Sequence, residues 1–453
     1  MFKSTHILPA GVLAIAGAGT PAQADITKEV EDALNFYHYG SNGAVKMDLN
    51  YRWENVDQDK GPIIPGKAPK RVETANANTA RLRLGLLSPT FYDFQAYAEY
   101  EGNYALQEDY DQGGTTLNRH RDYSLIADPD RSELNQFWLS YKGIADTLIK
   151  VGRQRIKFDD DRFIGNVGWR QMESTYDSVL LTHNNQTLFG LTVNAGYLDH
   201  VQNIFGETDT LNAPVLNLNY KVGDWGNLIG YGYWLDFRER ANYAKSSQTY
   251  GLRFDGKSPQ FFDTVNFLYT AEWGKQSNYA DNPNHYQADR INLMGGLSAF
   301  NLTLQGAMEQ LNGYGLNKTF NTPLGTNHAF QGWADLFINP LGNATLGQGI
   351  RDVFATASYK AMNDTLIVTG MYHDFYDDTG GVEYGSEWDF SILKKFGKHY
   401  SLLAKYANFN TENAAFTDTQ KIWLQANVSF NDLAREPAGS GRLPWRNVIE
   451  ART

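Results

Sequence analysis

Residues 45–54 read VKMDLNYRWE, and their alternation decides the fold. Val45, Met47, Leu49, Tyr51 and Trp53 fall on one side of an extended chain; Lys46, Asp48, Asn50, Arg52 and Glu54 fall on the other. A β-strand turns successive side chains to opposite faces, so period two means one apolar face and one polar face. Moving outward, the same beat recurs. Ala80, Leu82, Leu84 and Leu86 alternate with Arg81, Arg83 and Gly85. Ile229, Tyr231, Tyr233 and Leu235 alternate with Gly230 and Gly232, and Ile291, Leu293, Gly295 and Leu297 with Arg290 and Asn292. About eighteen such segments, each roughly ten residues long, follow one another from Gly43 to Phe430. Ten residues at ~3.3 Å each, tilted by ~40°, cross an apolar band about 25 Å tall.

The connections carry a second rhythm. Short turns at 88–93, 142–146, 184–186, 223–226, 255–259, 299–301, 361–364 and 394–398 alternate with longer polar stretches. Those are 55–76, 105–131, 156–174, 198–213, 238–246, 274–286, 311–350, 376–383 and 410–418. An all-β transmembrane antiparallel barrel of about 18 strands, with tight periplasmic turns and long external loops, has this pattern. A sandwich has no reason to alternate so, and a propeller would show a repeat. Tyr51, Trp53, Trp138, Tyr141, Trp234, Trp273, Trp388 and Tyr400 lie near strand ends, where an aromatic girdle is expected.

Composition agrees. No stretch after the N-terminus has the ~20 apolar residues of a membrane-spanning helix, yet 14% of residues are aromatic and 42 are Gly. The chain has no cysteine, which suits passage through an oxidising periplasm. The net charge of −11 speaks against a nucleic-acid partner.

Residues 1–24 read as a secretory signal peptide: Lys3, an apolar run over 7–19, then Ala22-Gln23-Ala24. Cleavage is expected between Ala24 and Asp25. Residues 25–42 form a short periplasmic segment in this reading, with helical spacing at Ile26, Val30, Ala33 and Leu34 that suits a short helix or a lumenal plug. The last strand runs from Thr419 to Phe430, whose aromatic side chain is the expected assembly signal for the barrel-assembly machinery. The tail 431–453 has turn residues, no alternation and an expectation of disorder.

Three stretches resemble the alginate export family of outer-membrane porins: 45–59 with 81–88, VGRQRIKFDDDRFIGNVGWRQMESTYDSV (151–179) and TPLGTNHAFQGWADLFINP (322–340). The resemblance implies an 18-stranded single-chain barrel in the outer membrane of a Gram-negative bacterium that passes solutes.

Segment 156–174 sits where porins fold a loop inward. Lys157, Asp159, Asp160, Asp161, Arg162, Arg170 and Glu173 are its candidate constriction residues, because opposed charges create a field that sorts solutes. A solvated external loop is the other reading. The run Asp159–Asp161 lacks the spaced ligands of a known divalent-cation loop. Arg52, Arg81, Arg83, Arg253, Arg290 and Lys405 fall on polar strand faces, and a charge facing lipid would cost about 2–4 kcal/mol at the midplane, so all six are expected to line the pore. They either pair with lumenal acids such as Asp48, Glu99 and Glu101, or form an electropositive ladder for anions. His328, Trp333 and Asp335 read as loop packing, as does His373-Asp374. No phosphate loop, HExxH or G-x-S-x-G motif occurs. No enzyme activity, cofactor or metal is expected. The expected partners are outer-membrane lipid and lipopolysaccharide, and hydrophilic or anionic solutes. A sealed structural or adhesive barrel and, further off, a barrel enzyme are the competing functions.

Overall fold

The computed structural model describes residues 43–60, 71–115, 120–185, 190–261, 264–338 and 347–430. The expected signal peptide 1–24 with its Ala24–Asp25 junction, the segment 25–42 and the tail 431–453 lie outside these residues. Eighteen strands are present. They are β1 (Ala44–Gln58), β2 (Ala75–Leu87), β3 (Phe94–Asp109), β4 (Arg131–Ile144), β5 (Thr147–Gln154), β6 (Thr175–Asn185), β7 (Leu191–Gln202), β8 (Thr208–Val222) and β9 (Gly226–Phe237). The second half holds β10 (Ser247–Lys257), β11 (Asn266–Asn278), β12 (Gln287–Ala299), β13 (Leu302–Leu311), β14 (Ile350–Ala361), β15 (Leu366–Tyr376), β16 (Glu383–Phe396), β17 (Tyr400–Thr411) and β18 (Thr419–Phe430). Each strand pairs with its sequence neighbour, and β1 closes the ring on β18 in an antiparallel register that runs from Met47↔Phe430 to Gln58↔Thr419. Closure leaves no open sheet edge, which lipid demands. No described helix is long and apolar enough to cross a membrane.

The two faces follow from period two. On β1, Asn50, Arg52, Glu54 and Val56 are buried, so that face looks into the barrel. On β2, Leu84 and Leu86 are 42% and 50% exposed, while Thr79 and Arg81 are buried. Exposed Leu139, Trp273, Leu293 and Ile392 continue the outer apolar surface. So much contiguous apolar area would be untenable in water and is ordinary against hydrocarbon.

The structure departs from the sequence reading in three places. On β9 the alternation is as expected, but Ile229, Tyr231, Tyr233 and Leu235 are buried and face inward. Their apolar partners are aromatic side chains inside the barrel, where Phe163 packs 5.0 Å from Tyr231. Trp138 is not a girdle residue. It shares the inward face of Gln136 and Ser140 and lies under Lys150, whose Nζ is 4.4 Å from its ring. Finally, strands outrun their apolar pattern. The expected connection 198–213 is largely strand, with His200↔Thr210, Val201↔Asp209 and Gln202↔Thr208 paired. The hydrogen-bonded ladder continues beyond the membrane band, where neither face needs to be apolar.

Candidate functional site

Among the described residues two connections fold deepest into the barrel, and a third, between β3 and β4, sends in Asp128, which accepts from Gln171 N–H at 2.9 Å. The first, 155–174, joins β5 to β6. It carries Ile156, Phe158, Phe163, Ile164, Trp169 and Met172, all buried. Each such side chain gains roughly 1.5–3 kcal/mol when removed from water, and the inward aromatic face of β9 supplies the surface to cover them. The second is the segment 320–338 of the β13–β14 connection. Ile164 and Leu324 form a parallel bridge between the two segments, Gly165 N–H donates to Leu324 O at 2.9 Å and Thr326 N–H to Asp161 O at 2.9 Å. Gly325 is required at the crossing, because a Cβ there would sit 2.2 Å from the Arg162 carbonyl oxygen.

Charged groups tie the segments to the wall. Arg162, fully buried, donates through Nε and Nη2 to Glu309 of β13 at 2.9 and 3.0 Å, and through Nη1 to Asn327 Oδ1 at 2.9 Å. Glu309 also holds Arg290 of β12 at 2.9 Å. Arg170 reaches Glu54 of β1 at 3.0 Å and Asp335 at 3.4 Å. Glu173 meets Arg155 at 2.8 Å and Arg83 of β2 at 3.8 Å. Burial opposes the charge on Glu173, but these two guanidiniums hold its carboxyl well below the usual range.

The three aspartates diverge. Asp159 accepts from Asn217 Nδ2 at 2.7 Å, Asp160 pairs with Arg253 of β10, and Asp161 pairs with Lys157 at 2.9 Å. Burial pushes Asp159 up to about 7. Burial acts on Asp160 in the same direction, but Arg253 beside it brings it below the usual range.

The six basic strand residues all sit on the inward face, and each meets a partner. Arg52 is 3.3 Å from Asp128, donates to Trp169 O at 2.5 Å and stacks 4.2 Å over the Trp169 ring. Arg81 pairs with Asp48 and lies beneath the first segment, 3.5 Å from Gln171 O. Arg83 pairs with Glu101. Arg253 also meets Asp255 at 3.0 Å and Glu272 at 3.1 Å, and Arg290 meets Glu272 at 2.6 Å. Lys405 of β17 sits among tryptophans, 3.9 Å from the Trp169 ring and 3.8 Å from the Trp333 ring, and its Nζ is 2.9 Å from His328 Nε2. His373 lies between Asp352 at 2.9 Å and Asp389 at 3.7 Å. Phe430 ends β18 and stacks on His399 at 4.4 Å.

Sequence reasoning did not single out Glu54, Asp128, Glu272, Glu309, Glu387 or Asp389. All but Asp128 lie on inward strand faces, where polar-face alternation was a usable signal. Asp128 belongs to the irregular β3–β4 connection and had none.

One side of the lumen is left less filled. Between 329–331 and the wall from β10 to β15 lies a cavity lined by Thr270, Asn292, Met294, Gln305, Phe330 and Phe354 together with the charged or titratable Asp160, Arg253, Glu309, Asp352 and His373.

No curated protein matches the chain. OccK5 (OpdH) of Pseudomonas aeruginosa is similar in structure, with TM-score 0.63 and 13% identity over 86% of this chain and 98% of that one. OccAB3 of Acinetobacter baumannii gives TM-score 0.65 and 16% identity over 85% and 99%. OpdK of P. aeruginosa, solved with vanillate, gives 0.62 and 10% over 85% and 98%. At such identities the likeness is one of fold. Residues 73–318, more than half of the chain, match the alginate export family. With its closed ring of strands, apolar outer wall and charged interior, the chain therefore belongs to the alginate export family and is an outer-membrane channel for solutes.

Proposed function

We propose that the barrel passes hydroxyl-rich solutes by passive diffusion, acidic sugars among them, and that 155–174 and 320–338 form its constriction. One observation carries the reading. The cavity beside the β10–β15 wall offers amides, a hydroxyl and aromatic faces, while the charged heads around it are held in pairs. Asn292, Gln305 and Gln331 supply donors and acceptors for hydroxyl groups. Phe330 and Phe354 offer apolar faces to a sugar ring. Several weak contacts in series suit conduction, because a solute that binds weakly at each site leaves it again. The family description names alginate, and OpdK was solved with vanillate. Both are carboxylates, and the cavity lining holds one guanidinium, Arg253, which is shared there with Asp160 and Glu272.

Swelling of liposomes that contain the purified protein tests this. A neutral hexose and its uronic acid are expected to enter faster than an amine or alkyl-ether osmolyte of equal size. Asn292→Leu with Gln305→Leu should remove that preference. Rates that follow size alone would refute it, and the lack of any current in planar bilayers would favour a sealed barrel.

A further inference from the structure

The segment 320–338 meets the barrel wall at one polar contact of unusual composition. His328, in the short 3₁₀ turn Asn327–Ala329, is buried at 3% exposure. Its Nε2 faces the Lys405 ammonium at 2.9 Å and its Nδ1 faces Asp335 Oδ1 at 2.7 Å. With Lys405 charged as an ammonium, which has only donors, Nε2 presents its lone pair and the ring proton is assigned to Nδ1, directed at the carboxylate. The ring stacks on Trp169 of the other inward segment, with centroids 4.5 Å apart and planes 5° apart. Trp423 of β18 meets it edge-on at 5.9 Å. This histidine therefore joins both inward segments to the wall of β17 and β18.

With Lys405 charged, the contact accepts a neutral imidazole only. A second proton on Nε2 would place two cations 2.9 Å apart with no acceptor between them. Other charges nearby do not relieve this. Asp335 is already shared by Lys421 of β18 at 3.0 Å and Arg170 of 155–174 at 3.4 Å. Arg52 of β1 stacks on the far contact, Trp169, and Glu54 is taken by Arg170. On β16, Asp389 accepts from Trp333 N–H at 3.2 Å and its charge acts on Lys405 rather than on His328, and Glu387 accepts from Ala334 N–H at 2.7 Å.

We propose that Lys405, His328 and Asp335 form an acid-released latch that holds 320–338 across the lumen and opens the channel when His328 takes a second proton. The proposal rests on the channel reading. Burial, with Lys405 and Arg170 acting in the same direction and Asp335 against them, sets His328 well below its ordinary range while latched. A released histidine titrates near 6.5. The latched state thus binds fewer protons, so its stability is whole above about pH 6.5 and declines as pH falls below that. Between pH 7.5 and pH 5 the released-to-latched ratio rises by at most about 30-fold, set by the 1.5 pH units below the free value.

Single-channel recording of the full chain in planar bilayers at pH 7.5, 6.5 and 5.0 tests the latch. Open-channel current or open probability should rise several-fold toward pH 5, and His328→Gln should flatten the response. A wild-type current independent of pH, or a His328→Gln response equal to wild type, would overturn the latch and leave the channel reading standing. No current at any pH overturns both. If His328→Gln fails to assemble, Lys405→Met decides, because a second proton on His328 then meets no wall cation at Nε2. The acid response should shrink in Lys405→Met. A response equal to wild type in that variant overturns the latch.

Discussion

Replacing Arg162 with Met should loosen the lumen without touching the membrane wall. The guanidinium is buried and joins three elements: its own segment, Glu309 of β13, and Thr322 and Asn327 of 320–338. Methionine retains much of the apolar stem but none of the five donors. Removing one partner of a buried ion pair costs about 3–5 kcal/mol, because the other charge is left without compensation. Here Glu309 keeps Arg290 at 2.9 Å and Gln331 at 3.1 Å, which sets the loss near the lower end. About 3 kcal/mol lowers the ratio of docked to undocked segment by roughly 100-fold, at about 1.4 kcal/mol per decade. The outer wall is unaffected, so the variant should still assemble and show the heat-dependent mobility of a folded barrel. Conductance and current noise in planar bilayers should both rise, and limited proteolysis should open new sites within 320–338. Wild-type conductance, noise and proteolysis in a correctly assembled variant would refute the claim that Arg162 pins the segments. A cycle with Glu309→Gln adds a second check. The two residues share partners, so the double variant should lose less than the sum of the single ones.

Arg81→Ala with Arg83→Ala leaves Asp48 and Glu101 without their guanidinium partners, so reversal potentials across a KCl gradient should shift toward cation preference. An unchanged or more anion-selective channel would show that these arginines are not sensed by permeating ions. Asp159, raised to about 7, gains negative charge as pH rises through neutrality, so cation preference should grow between pH 6 and pH 8 in wild type and stay level in Asp159→Asn. Gly152→Ala places a Cβ 2.3 Å from the Phe137 carbonyl oxygen at a φ of +116°, and the yield of folded barrel should fall in heat-modifiability gels. Phe430→Ser removes the aromatic that stacks on His399 at the end of β18 and should slow membrane assembly, read as the fraction of protease-resistant barrel after pulse labelling.

The strand count and the rhythm of short and long connections were legible in residues 43–430 because a barrel wall is locally encoded. Each strand has one face toward lipid and one toward the interior, and that difference appears residue by residue along the chain. Leu82, Leu84 and Leu86 against Arg81 and Arg83 state it in six residues. The family stretches at 151–179 and 322–340 were legible too, and they mark the two connections that fold inward. Which face of β9 looks inward was not legible. Period two records that two faces differ, and either an apolar lipid or an apolar inward segment satisfies the apolar one. Tyr231 and Tyr233 chose the second because Phe158 and Phe163 are there to cover them.

The partners of the charges belong to the tertiary structure alone. Sequence distance is no guide to them: Arg162 meets Glu309, Arg253 meets Asp160, and Lys405 meets His328. Alternation could place the arginines and lysine on the inward wall, since a charge facing lipid costs too much to keep. It could not tell a ladder of bare cations from a set of ion pairs, because that depends on whether a distant loop enters the lumen and with which carboxylates. The membrane, a uniform solvent acting on each strand, writes its demand into local pattern; the interior is a set of contacts between segments far apart in the chain, and only closure of the ring brings them within reach.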